Sequence, residues 1–129
     1  MGRVIFVGMH NKPDKLPLCP STMSGKIISR VIEGIGCEAI RTNLCDCDHK
    51  PSGFIAMMHH NTMWNITHSP TDSDIIVLLG QWVHDNFIKQ DDFKGKIIKA
   101  AHPASTVYHA KPDEYIANLV QKIKQFTNP

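Results

Sequence analysis

Short runs of consecutive apolar residues, separated by polar residues and glycine, are the feature that most constrains how this chain can fold. The strongest run lies within Asp74–Gly80, and a second, Val4–Val7, ends at Gly8. Continuous β-branched and aliphatic runs of this length are typical of strands that are buried on both faces, as in parallel sheets. Weaker patterns predict two further strands, at 37–44 and 94–101.

Segments with helical patterns separate these strands. Apolar stripes at helical spacing predict one helix over 25–33, with Ser24 as its N-cap, and another over 112–126. Shorter helices are predicted over 54–64 and 81–87. Strands that alternate with helices indicate an α/β fold, here a three-layer α/β/α sandwich around a short parallel sheet of about four strands.

Length and composition narrow the class of protein. The 129 residues fit one domain, spanning 1–129, and the net charge is only +2. Any binding of nucleic acid would therefore rely on local groups rather than on a strongly basic surface. No stretch has the length of a membrane helix or the pattern of a signal peptide, so the four cysteines are expected to be free thiols. A cytoplasmic or nuclear protein that does not associate with membranes is predicted.

Polar, loop-forming residues directly follow the predicted strands. His10 comes soon after the first strand, and His102 comes directly after the last. Right-handed crossovers bring the carboxyl ends of parallel strands to one edge of the sheet, and ligands of open α/β sheets bind there. We therefore expect the segments after Gly8, Asn43 and Gly80 to meet the two histidines at a ligand site.

The residue types at this edge suit polar chemistry. A neutral imidazole at His102 can donate a hydrogen bond to a developing oxyanion, and Ser105 can contact a phosphate. His10 or Asn11 can activate a water molecule, and the amide of Asn43 can pair with the edge of a nucleobase. The alternative for each residue is an ordinary structural role, as a loop histidine or as a residue that ends a strand.

A zinc site is a weaker interpretation of another cluster. Cys45, Cys47 and His49 lie close together, and His59 and His60 follow. Only one residue separates the two cysteines, whereas structural zinc sites usually have two to four. This spacing disfavours a zinc site, and no metal or cofactor is predicted.

Taken in order along the chain, the motifs resemble those of the uracil-DNA glycosylase superfamily. Gly8–Pro13 is similar to the family's first motif, and His102–Ser105 is similar to its second. Thr42–Leu44 resembles its base-reading asparagine segment, and Leu78–Gly80 its third strand. The resemblance covers nearly the whole chain, and it rests on the order and spacing of short motifs.

This resemblance implies a protein that hydrolyses the N-glycosidic bond of uracil or of a modified base in DNA, after flipping the base into a pocket. It implies that Asn43 reads the base edge, that Asn11 or His10 positions the water, and that His102 stabilises the charge on the departing base. It assigns further contacts with the substrate to Gly8, Met9, Phe54, Gly80 and Ser105.

The chain departs from the family pattern in ways that leave other functions open. The first motif carries an extra residue, so either His10 or Asn11 can occupy the water-positioning place. Ala104 stands where the family usually has serine. One alternative is a non-catalytic module that binds a nucleotide, a base or DNA on the same fold. Another is a hydrolase or transferase that acts on nucleosides.

Overall fold

A computed structural model of the chain describes residues 2–10, 23–45, 53–103 and 112–127. Within these ranges, strands and helices alternate along the chain. The strands are β1 (Val4–His10), β2 (Ala39–Cys45), β3 (Ile75–Leu79) and β4 (Lys96–Ala100). The helices are α1 (Met23–Ile35), α2 (Phe54–His68), α3 (Gln81–Asn86) and α4 (Pro112–Thr127).

The four strands form one parallel sheet in the order β2-β1-β3-β4. Successive connections run from β1 outward to β2 on one side, and then from β3 outward to β4 on the other. The strand order therefore changes direction between β1 and β3, which are hydrogen-bonded neighbours. In open parallel sheets, a crevice at the carboxyl ends of such a strand pair is the usual place for a ligand.

Helices cover both faces of the sheet, and each face has its own apolar core. The first core joins α1 and α4 to the sheet through Ile28, Val31, Leu119 and Ile123. The second joins α2 and α3 to the opposite face through residues that include Trp64 and Val83. The predicted three-layer α/β/α sandwich with four parallel strands is therefore confirmed.

The central strand β1 explains why its sequence is apolar without alternation. Val4 and Phe6 lie in the core beneath α1 and α4, whereas Ile5 and Val7 lie in the core beneath α2 and α3. All four side chains are fully buried. Because successive side chains of a strand point to opposite faces, a strand that is covered on both sides must be apolar at every position.

Several predicted boundaries differ from the structure. β1 continues to His10 rather than ending at Gly8, because Gly8 still pairs with Asn43 and His10 with Cys45. β2 accordingly runs from Ala39 to Cys45. Pairing with a neighbouring strand, which the local sequence does not reveal, sets these ends.

Two helices are also longer than predicted. α1 begins at Met23, so Ser24 lies inside the helix instead of capping it. α2 continues to His68 because Asn61 and Asn65, which look like surface residues in the sequence, are buried and hydrogen-bonded. No helix in the described ranges is both long enough and apolar enough to cross a membrane.

Candidate functional site at the carboxyl edge of the sheet

The strand ends bring several of the predicted site residues to one edge. Gly8 pairs with Asn43 across β1 and β2. Gly80 directly follows β3, and His102 lies two residues beyond the end of β4. Since all four strands are parallel, these residues share the carboxyl edge that the sequence predicted. β2 and β4 are the outermost strands, however, so Asn43 and His102 lie at opposite ends of this edge, roughly 14 Å apart at a strand spacing of about 4.8 Å. Met9 lies one residue beyond Gly8 on β1 and packs against the core beneath α2 and α3.

Other predicted residues cannot be placed. Asn11 and Ser105 lie outside the described residues, and so does the side chain of His10. The assignment of the water-positioning role to His10 or Asn11 therefore stays a prediction.

Phe54 is the first residue of α2, and its side chain is 75% exposed. Because α2 returns from the end of β2, Phe54 lies on the carboxyl side of the sheet.

Gly80 and His102 are packed against each other. Gly80 has φ 95° and ψ 158°, a conformation that is essentially restricted to glycine. A Cβ added at Gly80 would lie 3.3 Å from the Cβ of His102. The backbone conformation therefore requires glycine here, and a Cβ would also force His102 to move by a few tenths of an ångström. The Leu-Gly strand end thus allows the β3–α3 turn to lie against the histidine.

His84, on α3, connects the ends of β3 and β4. Its Nε2 atom lies 3.0 Å from the carbonyl oxygen of Leu78 and 2.8 Å from that of Ala100. Both partners are acceptors, so Nε2 must carry the hydrogen that the two carbonyls share. The Ala100 carbonyl also accepts a 2.9 Å hydrogen bond from the backbone N–H of Gly80. The last residue of β4 is therefore fixed by two donors.

Tyr115, on α4, holds Ala101, the residue that follows Ala100. Its hydroxyl donates a 2.6 Å hydrogen bond to the carbonyl oxygen of Ala101, which directly precedes His102. Burial raises the pKa of the Tyr115 hydroxyl, so the group stays protonated and remains a donor throughout the physiological range. Two consecutive carbonyls before His102 are thus held by side chains from helices on opposite faces of the sheet.

A cavity of about 390 Å³ lies along the outermost strand of the sheet, between β2 and α2. Its volume falls within the range typical of small-molecule sites. Asn43 and Arg41 line it from the strand, and aromatic, apolar and polar side chains line it from the helix. The helix residues are His59, His60, Met63, Trp64, Thr67 and His68.

A buried hydrogen-bond chain forms the wall between this cavity and the sheet. The indole Nε1 of Trp64 donates to the hydroxyl oxygen of Thr42 at 3.1 Å. The Thr42 hydroxyl donates in turn to the backbone carbonyl of Phe6 at 2.8 Å. Since both side chains are buried, the chain fixes α2 against β2 and sets the width of the cavity.

The residues of the weaker zinc interpretation are only partly described. Cys47 and His49 lie outside the described residues, whereas Cys45 is buried and His59 and His60 lie on α2. Within the described ranges, no group of three or more His, Cys, Asp or Glu side chains is arranged to hold a metal ion.

His84 and Tyr115 are the site residues that reasoning from sequence missed. In the sequence, Tyr115 falls on the apolar stripe that predicts the last helix, and His84 belongs to no recognised motif. A weak signal existed for His84: it lies four residues after Gly80, so the first helical turn brings it back over the strand end. The sequence held no corresponding signal for the tyrosine hydroxyl.

Comparison with models of known protein families gives no match for this chain, and comparison with curated proteins gives none either. The chemistry of the site must therefore be argued from its own residues.

Proposed function

We propose that this protein is a DNA base glycosylase, which hydrolyses the bond between uracil or a modified base and the deoxyribose. The observation that carries the proposal is the rigid attachment of His102. The main chain directly before it, at Ala100 and Ala101, is fixed at the carboxyl edge of a parallel sheet by Gly80, by His84 on α3 and by Tyr115 on α4. A preorganised hydrogen-bond donor at such a position is what stabilisation of a departing anion requires.

In the proposed reaction, the bond between C1′ of the sugar and the base nitrogen breaks, and its electron pair leaves with the base. A ring N–H of His102 donates a hydrogen bond to the oxyanion that develops on the base. A water molecule, held by Asn11 or His10, adds its oxygen to C1′ and releases a proton. The products are the free base, which regains a proton, and an abasic sugar.

Recognition of the base is assigned to Asn43 and Phe54, so the proposal requires a base that spans the carboxyl edge from Asn43 on β2 to His102 beyond β4. The side-chain amide of Asn43 offers both a donor and an acceptor, which can pair with the edge of a base. The exposed ring of Phe54, on the same side of the sheet, offers a surface for stacking. Stacking and pairing would offset part of the cost of unstacking a flipped base, which is a few kcal/mol.

Single-turnover release of the base from a uracil-containing oligonucleotide tests the proposal. We expect His102→Ala to slow release by about 10²- to 10³-fold, the usual effect of removing one donor to a developing oxyanion. Glu33→Ala is the control, because Glu33 is an exposed residue on α1 that lines neither the cavity nor the edge where His102 lies. Equal rates for the wild type and His102→Ala would refute the enzymatic function.

A second candidate, supported by the cavity between β2 and α2, is a module that binds a nucleotide or base without cleaving it. This cavity combines Asn43 with the side chain of Trp64, and His102 does not line it. Binding there would accordingly be independent of His102.

Titration with uracil, with free nucleosides and with single- and double-stranded oligonucleotides, followed by NMR, distinguishes the candidates. Binding that is lost in Asn43→Ala but unchanged in His102→Ala, without base release, supports the binding module. Cleavage of free nucleosides, but not of oligonucleotides, indicates instead a nucleoside hydrolase.

A further inference from the structure

The side chain of His84 bonds to the main chain of the sheet, although the residue lies on a short helix. α3 contains six residues, and its buried apolar anchor is Val83. The adjacent His84 directs its ring at two main-chain carbonyls of the sheet, those of Leu78 and Ala100. The backbone N–H of His84 also donates to the carbonyl of Gly80 at 3.1 Å. His84 is thus bonded to both strands and to the turn that packs against His102.

We propose that His84 is a positioning residue, which sets the place and orientation of His102 by fixing the end of β4. This inference rests on the proposed function for its effect on the reaction, but its geometric part can be measured independently. His84 need not touch the substrate. It acts through Ala100, two residues before His102, and through Gly80, where an added Cβ would lie 3.3 Å from the Cβ of His102.

The proposed effect follows from the way that oxyanion stabilisation depends on distance. Without the His84 ring, the Ala100 carbonyl loses one of the two donors that the described residues give it and keeps that of Gly80, so the strand end can move relative to β3. A displacement of about 1 Å at a catalytic group can slow a reaction by about 10²-fold. We therefore expect the loss of His84 to slow base release without a comparable change in substrate affinity.

The test uses two substitutions in the full chain. His84→Leu removes the donor but keeps an apolar side chain, whereas His84→Gln places an amide N–H at nearly the same reach as Nε2. We expect His84→Leu to slow single-turnover base release by 10- to 100-fold, and His84→Gln to recover most of the rate. A glutamine variant that is as slow as the leucine variant would overturn the proposal, since packing would then be responsible.

NMR of labelled histidine rings separates the positioning role from the proposed function. The ring signals of His102 should change in His84→Leu and return toward wild-type positions in His84→Gln, whether or not any base is released. Unchanged His102 signals in His84→Leu would overturn the positioning role. Changed signals in a protein that releases no base would support the positioning role and count against the glycosylase function alone.

Two further measurements distinguish a positioning role of His84 from a general loss of stability. Asn65→Leu removes another buried side chain that donates to a main-chain carbonyl, that of Ile88, so it should lower stability without moving the His102 signals. In the wild-type protein, the ring nitrogens of His84 should report a hydrogen on Nε2, which requires no variant to fold. A hydrogen on Nδ1 alone would overturn the proposal.

Discussion

The two ends of the sheet are closed by polar networks of different kinds. At the amino end, an Nη2 of Arg3 lies 2.9 Å from Oδ2 of Asp74, whose side chain is 2% exposed. The backbone N–H groups of Arg3 and Thr71 each donate to the same carboxylate at 2.8 Å. At the carboxyl end, a histidine and a tyrosine hold main-chain carbonyls beside His102.

The difference indicates what each end does. The amino end contains a buried carboxylate whose oxygens are already occupied by donors from the protein, so it is suited to holding residues 3 and 74 together. The carboxyl end uses its donors to fix the backbone next to a histidine, which suits the support of a site. If this distinction is correct, changes at the amino end should affect stability, and changes at the carboxyl end should also affect His102.

The largest effect is expected from Asp74→Asn. This substitution leaves the partly buried guanidinium of Arg3 without its counter-charge and turns an amide toward groups that are themselves donors. Breaking a buried ion pair in this way costs about 3 kcal/mol. Urea denaturation should show a fall of that size in the free energy of unfolding, with the NMR signals of His102 unchanged.

Asp113→Ala provides the control for this change. It removes a carboxylate from the Arg30–Asp113 pair, in which both side chains are more than half exposed. Exposed pairs contribute little to stability, so the loss should be a small fraction of that in Asp74→Asn. Equal losses in the two variants would show that burial of the Arg3–Asp74 pair is unimportant.

The Arg3–Asp74 pair also predicts how the free energy of unfolding changes as the pH falls. Burial alone would raise the pKa of the Asp74 carboxyl, but hydrogen bonds from Arg3 and Thr71 and the charge of Arg3 outweigh it, so the pKa is lowered. A carboxyl with a lowered pKa stabilises the fold above its unfolded value of about 3.9, and this contribution is lost as the pH falls through the folded pKa. The gap in unfolding free energy between wild type and Asp74→Asn should therefore narrow below about pH 4. A gap that stays constant from pH 6 to pH 3 would contradict this assignment.

A smaller loss of stability, but a specific effect on the site, is expected from Gly80→Ala. The backbone conformation of Gly80 costs other residues about 2 kcal/mol. Gly53 provides a matched control, since it has nearly the same angles, φ 88° and ψ 153°, and also precedes a helix. Among the described residues, apart from its chain neighbours, none has an atom within 4 Å of a Cβ added at Gly53, whereas one added at Gly80 meets His102.

Thermal unfolding and NMR together separate the two effects. Both alanine variants should lose stability, but only Gly80→Ala should shift the ring signals of His102 and slow base release. Equal shifts in the two variants would mean that Gly80 matters only for its backbone conformation.

Sequence reasoning predicted the layers of this fold well because burial on both faces leaves a local signature. Val4–Val7 and Ile75–Leu79 are apolar at every position, and that pattern has few explanations other than a central parallel strand. The strands also brought Gly80 and His102 to the same edge, as predicted. Strand ends were less accurate because they depend on a partner, as His10 depends on Cys45.

The polar interactions that complete the molecule could not be predicted, because they join residues far apart in the chain. Arg3 and Asp74 are 71 positions apart, and nothing near either residue signals the other. Asn61 resembles a surface residue on α2, yet its amide bonds to the carbonyl of Asn86 and accepts from the N–H of Ile88. Such pairs are defined by tertiary packing, which a periodic pattern does not contain.

The smallest effect is expected from Tyr115→Phe, which removes one hydrogen bond to Ala101 and keeps the aromatic ring. Its loss should cost about 1 kcal/mol at pH 7 by urea denaturation.

Because burial raises the pKa of Tyr115, its stabilising contribution is full below the unfolded value of about 10 and declines as the pH rises above it. The gap between wild type and Tyr115→Phe should therefore narrow above pH 10, whereas the gap for Asp74→Asn narrows in acid. A Tyr115→Phe gap that stays constant up to pH 11 would contradict the burial of the hydroxyl. Acid should therefore weaken the Arg3–Asp74 pair at the amino end of the sheet. Alkaline pH should weaken the hydrogen bond that holds the backbone beside His102, and it should leave the Arg3–Asp74 pair intact.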